Sequence, residues 1–454
     1  MKKNLTFKEY IYVASMLFGL FFGAGNLIFP VHMGQEAGRN FLPATIGFII
    51  TGVGLPLLGV AALGGSKSDG LHSLSSKVNP FFALFFTCAL YLTIGPFFAI
   101  PRCASTSFTV GIEHLLPENS NTTLALFLFS LFFFVAALLF SLYPSKILTW
   151  VGKILNPFFL LFLSILVIVS LINPTASISS VEPSASYQTG TFFKGFLEGY
   201  NTMDALASLA FGIIVVNVIK DLGITEANDI SKNTILSGFF SCLLMAIIYL
   251  ATTVVGVQSR GAFSVSANGG IALAEISHYY LGTFGFVILA ITVTLACLKT
   301  SVGLITSCSE TFSGLFKKGP SYKAWVYIFT LTSFLISNVG LTAIINISLP
   351  VLMFLYPYAI TLSLLAICGK LFDNSRIVYN WVIGLTTVSC IFDLINALPS
   401  SVKEMKVFAS ILNGLSTILP FSHLGLGWVV PSILGLVIGI VHYIIQKKKS
   451  VATC

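Results

Sequence analysis

The sequence predicts an all-α membrane protein, and three observations carry that prediction. Of 454 residues, 56% are hydrophobic and only 9% are charged, against about a quarter charged in ordinary soluble domains. Apolar runs of roughly 20 residues or more, the length needed to cross hydrocarbon, recur along the chain. Two of these runs are interrupted in the middle by Gly, Asn and Asp, residues that weaken a helix interior. In hydrocarbon, unwound backbone is tolerated only where protein or a water-filled cavity surrounds it. The interruptions therefore mark candidate sites.

Taken in order, the apolar runs predict twelve spans near residues 8–33, 42–64, 80–110, 122–142, 147–173, 195–219, 234–258, 280–312, 323–344, 346–368, 377–397 and 426–446. Lys2, Lys3 and Lys8 ahead of the first run resemble a secretory signal. Cleavage would fall beside the first interruption with many spans still to come, so the segment is expected to remain. The stretch from Val402 to Leu419 has a short apolar core between Lys403, Glu404 and Lys406 at one end and Pro420 at the other. It is expected to lie at the interface rather than to span.

Twelve spans put both termini on one side. Arg39, Lys194, Arg260, Lys403 and Lys406 fall on the opposite side and Arg102 and Lys299 fall within spans, while the other lysines and arginines lie on the side of the termini. The positive-inside tendency predicts a multi-pass cell-membrane protein with both termini cytoplasmic. The net charge of +8 then reflects topology and contact with anionic lipid, and no nucleic-acid partner is expected. The eight cysteines are scattered without paired spacing and read as packing residues.

The first interruption lies within Phe18 to Pro30, where Gly23, Gly25 and Asn26 break the run. The second lies in Gly195 to Asp204, where Gly199, Asn201, Thr202 and Asp204 separate two apolar stretches. The broken spans head two sets of five, 8–173 and 195–368, which have opposite orientations, with the last two spans at 377–446. Paired breaks in matching places point to a carrier with inverted repeats and a midplane site. The alternative is a pair of kinks that allow close helix packing.

Such breaks offer N–H groups at one half-helix end and carbonyls at the other. A zwitterion fits both. A carboxylate would meet the N–H groups of Ala24, Gly25 and Asn26, an ammonium the carbonyls near Phe21 and Gly199 to Asn201, and a small cation the Asn26 oxygen. No nucleophile with a base, metal-ligand set or Walker loop stands out, so no enzyme and no cofactor are expected beyond a coupling ion, Na+ or H+. A channel would favour rings of pore charges or a carbonyl filter, and neither is seen.

The chain resembles the bacterial branched-chain amino acid:cation symporter family, whose relatives are expected to adopt the LeuT-type fold with five-plus-five inverted repeats and two extra helices. The resemblance runs nearly end to end. It rests on Phe22 to Pro30, Gly52 to Pro56, Gly95 to Arg102, Gly199 to Ala207, Ser307 to Glu310 and Gly425 to Trp428. It implies uptake of leucine, isoleucine and valine with sodium or protons, with an amino-acid substrate as the small-molecule partner. Another amino acid or small solute, carried with protons, is the alternative; oligomeric state is left open.

The resemblance also implies site roles. Ala24 and Gly25 would contact substrate through backbone, together with Gly199, Tyr200, Asn201, Thr202 and Asp204, and Asn26 would be a sodium ligand. A second sodium site would take carbonyls of Gly19 and Phe22, with Phe21 alongside, the hydroxyls of Thr300 and Ser301, and the Cys297 carbonyl. Ile28 stands where the wider fold has an arginine, and Thr109 where the family tends to have an acid. Lys299 either points away and pairs elsewhere, with Glu310 or Asp204, or stands in for a bound cation. Arg102 either pairs with Glu113 or snorkels outward as a structural charge, or else helps to gate the pathway. Asp204 caps the resumed helix, serves the site, or does both. Leu27, Tyr91, Tyr200 and Met203 are candidate pocket side chains.

Overall fold

The computed structural model describes residues 2–452 except 67, 69, 118 and 144–155. Among the described residues every regular element is helical. Eight helical runs there are long and apolar enough to cross a membrane. The fifth predicted span is described as α9, Asn156–Ile172, and its residues 147–155 lie outside the described set.

The chain enters through a tied lead. Leu5 N–H donates to Asn233 Oδ1 at 3.0 Å and Asn233 Nδ2 donates to the Lys3 carbonyl at 3.0 Å. Helix α1, Phe7–Phe21, begins where Thr6 N–H donates to the Glu9 carboxylate at 2.7 Å. It stops at Phe22, which is extended, and the chain restarts as α2, Ala24–Ala37, after Gly23. The second span comprises α3, Phe41–Ile49, a wide turn over 50–54, and α4, Leu55–Gly65. After a short α5, Leu71–Ser75, the third comprises α6, Pro80–Leu92, and α7, Ala99–Gly111. They are separated by non-helical Gly95 and by Pro96, whose ring cannot continue the ladder. Helix α8 is Thr122–Leu142.

The sixth span is broken as expected. Helix α10, Thr191–Glu198, tightens into a 3-10 turn over 199–202, Met203 turns left-handed at φ 64°, and α11 resumes over Asp204–Asp221. Helix α12, Ala227–Ser259, follows. The run Gly269–Leu315, α13, is kinked at Gly282, where φ is 62°. The predicted eighth span is essentially the part after that kink. The preceding helix, 269–281, lies ahead of the predicted span; Asn268 starts it by accepting from Gly270 and Ile271 N–H groups. Helices α14, Tyr322–Ser337, α15, Leu341–Cys368, and α16, Arg376–Asn396, come next. The four-residue α17, Ser400–Lys403, precedes α18, Lys406–Ser416, which is roughly 16 Å long at 1.5 Å per residue, too short to span. Helix α19, Val429–Ala452, closes the chain.

The broken helices lie in the middle of the bundle because small residues let their neighbours come close. Helix α2 crosses α12 so tightly that a Cβ on Gly34 would lie 2.1 Å from the Thr253 carbonyl oxygen, and one on Gly256 2.1 Å from that of Val31. Helix α10 meets α3 the same way, through Gly195 against the Ala44 carbonyl at 1.9 Å. Large apolar side chains such as Phe132, Leu139, Ile433 and Val437 cover the outside, where lipid is their solvent.

The crossing of α2 and α12 yields a stability test. Gly256→Val is expected to destabilise the protein by at least about 1–3 kcal/mol, the usual scale of overpacking, seen as a lower melting temperature in detergent. An unchanged melting temperature would show that the two helices separate freely.

Candidate functional site

The first break is satisfied locally and then tied across the bundle. Phe22 N–H closes α1 on the Phe18 carbonyl at 2.7 Å. Asn26, on the first turn of α2, reaches back so that its Oδ1 accepts the Gly23 N–H at 2.9 Å, one half of a capping box. Its amide nitrogen donates to Asp204 Oδ2 and to the Tyr249 hydroxyl. Tyr249 donates in turn to Asp204 Oδ2 at 3.2 Å. Asn26, Asp204 and Tyr249 are all buried. Three helices therefore meet on one carboxylate, which sits at the positive end of α11 where negative charge is favoured.

Asp204 is inside the first turn of α11 and its carboxylate crosses to Asn26, so the capping alternative is not what the carboxylate does. That turn is closed by Thr202 instead: its hydroxyl accepts the Asp204 N–H at 3.3 Å and donates to the Gly199 carbonyl at 2.9 Å. The Asn201 and Thr202 carbonyls face the third span. There Arg102 Nη1 donates to Asn201 O at 2.6 Å and Nη2 to Thr202 O at 3.3 Å. The guanidinium stacks 5.3 Å above the Phe29 ring and presses on Gly25, where a Cβ would lie 2.9 Å from Nη2. The pairing of Arg102 with Glu113 is not made. Glu113 instead lines an outer cavity of about 560 Å³ with Ser105, Thr109, Asn268 and Asn338.

Between the two breaks lies a central cavity of about 30 Å³, room for roughly one water. Asn26, Arg102, Thr202, Asp204 and Thr300 give it polar walls, and Phe21, Ile94, Met203, Ala207, Phe211 and Leu304 apolar ones. Gly23 and Gly25 line it beside the start of α2 at Ala24.

The remaining candidates divide. Thr300 abuts the first break, its Cγ2 3.4 Å from where a Cβ on Gly23 would be, while its hydroxyl donates to the Ala296 carbonyl at 3.2 Å. Ser301 is fully buried with no hydrogen-bond partner for its hydroxyl, and Cys297, one turn earlier, is buried too. Gly19 is buried on the last turn of α1, and the Phe22 ring stacks on Phe18 at 4.8 Å. Lys299 is not among the residues that line the cavity. Tyr200 and Gly199 lie outside the walls; Tyr200 stacks on Tyr356 at 3.9 Å. Leu27 and Tyr91 are core residues away from the cavity, whereas Met203 lines it. Sequence reasoning missed Tyr249. Its signal was a lone phenol in the middle of an apolar span.

A family model described as branched-chain amino acid transport protein matches residues 6–446. The branched-chain amino acid permease BrnQ of Lactobacillus delbrueckii subsp. lactis is 48% identical over 451 residues, which is 99% of this chain and 100% of the relative. The permease of the same name from Bacillus subtilis is 41% identical over 451 residues, again 99% and 100%. Among solved structures, the inward-facing conformation of Mhp1 superposes with a TM-score of 0.56 at 14% identity, covering 96% of this chain and 90% of that one. That likeness concerns the fold alone, and it is the LeuT-type fold.

The shared carboxylate predicts coupled energetics. Tyr249→Phe is expected to cost about 1–3 kcal/mol, because a buried acceptor loses a donor, and clearly less in an Asp204→Asn background. Denaturant titrations in micelles read the difference; equal costs in both backgrounds would uncouple the two residues.

Proposed function

The chain belongs to the branched-chain amino acid transport protein family, and on that premise we propose that it is a secondary active symporter importing leucine, isoleucine and valine with sodium by alternating access. The observation that carries this reading is the cavity between the two helix breaks, polar at the broken ends and apolar elsewhere. The N–H groups at the start of α2, from Ala24, Gly25 and Asn26, suit a carboxylate. The Asn201 and Thr202 carbonyls suit an ammonium. Phe21, Ile94, Phe211 and Leu304 offer a branched side chain an apolar wall, which separates substrates differing by one methylene by only about 1–3 kcal/mol.

For the ion, we take Thr300, Ser301 and the Cys297 carbonyl together with the Gly19 and Phe22 carbonyls. The unsatisfied hydroxyl of Ser301 supports this choice, since a buried oxygen without a partner is costly and a cation would satisfy it. Asn26 is a ligand in the same reading once its oxygen leaves the Gly23 N–H. Repeats over 8–173 and 195–368 would rock against one another about the site, with both termini cytoplasmic. A proton-driven mechanism is favoured by one observation, the carboxylate of Asp204 buried at the site itself.

Labelled leucine uptake into proteoliposomes tests this, with sodium and proton gradients imposed separately. Sodium-driven uptake blocked by valine and not by lysine is expected. Thr300→Ala with Ser301→Ala should then raise the half-saturating sodium concentration at least about tenfold, or ~1.4 kcal/mol. Uptake driven by protons alone would overturn the sodium assignment, and no uptake of leucine under either gradient would overturn the substrate.

A further inference from the structure

Arg102 is the buried cation that symport, as described above, leaves without a task. Its residue is 4% exposed, and none of the ion pairs among the described residues includes it. The nearest carboxylate of the site, that of Asp204, is held by Asn26 and Tyr249 instead. A buried charge without a carboxylate is costly, and a permanently charged guanidinium cannot escape the cost by giving up its proton. The Arg102 side chain is also incompletely satisfied, because Nε has no hydrogen-bond partner. Among the described residues it is held by the Asn201 and Thr202 carbonyls and by the Phe29 ring.

Those two carbonyls are the acceptors assigned above to the substrate ammonium. The guanidinium also crowds Gly25, the start of the helix assigned to the carboxylate. With Arg102 in this position the cavity has room for roughly one water, far too little for a branched-chain amino acid. Arginine and substrate therefore compete for one seat, cation for cation.

We propose that Arg102 is a tethered substitute for the substrate's ammonium. It sits on the sixth-span carbonyls when no amino acid does, neutralises the negative end of the broken helix, and lets the carrier close and reorient without cargo. An incoming amino acid displaces it. This rests on the symport reading, and it adds a specific consequence. Net uptake needs the cargo-free return step, whereas exchange of leucine for leucine does not. Removing the tethered cation therefore slows net uptake and, by removing a competitor, tightens binding. A residue that held the substrate carboxylate, or only braced the fold, would weaken binding when lost.

The experiment compares the full-length protein with Arg102→Met and Arg102→Lys in proteoliposomes. It measures gradient-driven net uptake, leucine/leucine exchange at equal ion concentrations on both sides, and equilibrium binding of labelled leucine in detergent. For Arg102→Met, net uptake is expected to fall at least tenfold, with exchange within about threefold of the parent and leucine bound several-fold more tightly. Arg102→Lys, which keeps the charge, should recover much of the net uptake. Weaker binding in the Met variant, equal loss of uptake and exchange, or unaltered net uptake would each overturn the proposal. Arg102→Gln gives the same readouts if the Met variant does not fold. If the parent protein itself neither binds nor exchanges leucine, the symport reading fails and the proposal falls with it.

Discussion

The hydrogen bonds that join Asn26 to Asp204 and Tyr249 are the constraint on which the rest of the structure depends. A helix interrupted inside hydrocarbon leaves backbone groups that no lipid can satisfy. Here each interruption is satisfied first by its own neighbours, Asn26 for Gly23 and Thr202 for Asp204. The two are then fastened to each other by a single carboxylate. Neither break is a defect that the bundle merely tolerates, because each supplies what closes the other.

Bringing the breaks together requires backbones to approach more closely than ordinary side chains allow. The contacts of Gly34 and Gly256 at the α2–α12 crossing, and of Gly195 against α3, meet that requirement. Dispersion and backbone proximity hold these crossings, since hydrocarbon gives helices no solvent-driven reason to associate. The polar network and the small-residue crossings thus serve one geometry, in which carbonyls from the sixth span, N–H groups from the first and a guanidinium from the third converge.

Much of this was legible in the sequence, and the reasons differ by residue. Gly23, Gly25 and Asn26 announced the first break, and Gly199 to Asp204 the second, because such residues have few other uses in an apolar run. Thr300 lines the cavity, beside the first break. Asp204 was legible as a candidate beside the second break, but its partner Tyr249 was not, since nothing in one chain ties a mid-span phenol to an asparagine 223 positions away. The partners of Arg102 were illegible for a related reason: they are backbone carbonyls, which every residue has. The helix over 269–281 was not legible as a separate element, because it carries Glu275 and His278 and is set off from the next stretch only by a kink at Gly282. Tyr200, a polar aromatic beside the second break, stacks on Tyr356 and lies outside the walls.

The tied lead at the start of the chain has a mechanical consequence. Asn233 clamps the backbone just ahead of α1 to the first turns of α12, while the other end of α1 is the helix break at Phe22 and Gly23. The helix is thus a lever pinned at its base. With 15 residues it is roughly 22 Å long, so a tilt of about 10° about the pin carries its free tip about 4 Å, an estimate that follows from the helix rise. The tip carries Phe21 into the cavity wall, so a modest swing of this half-helix widens or narrows the chamber without stretching the clamp.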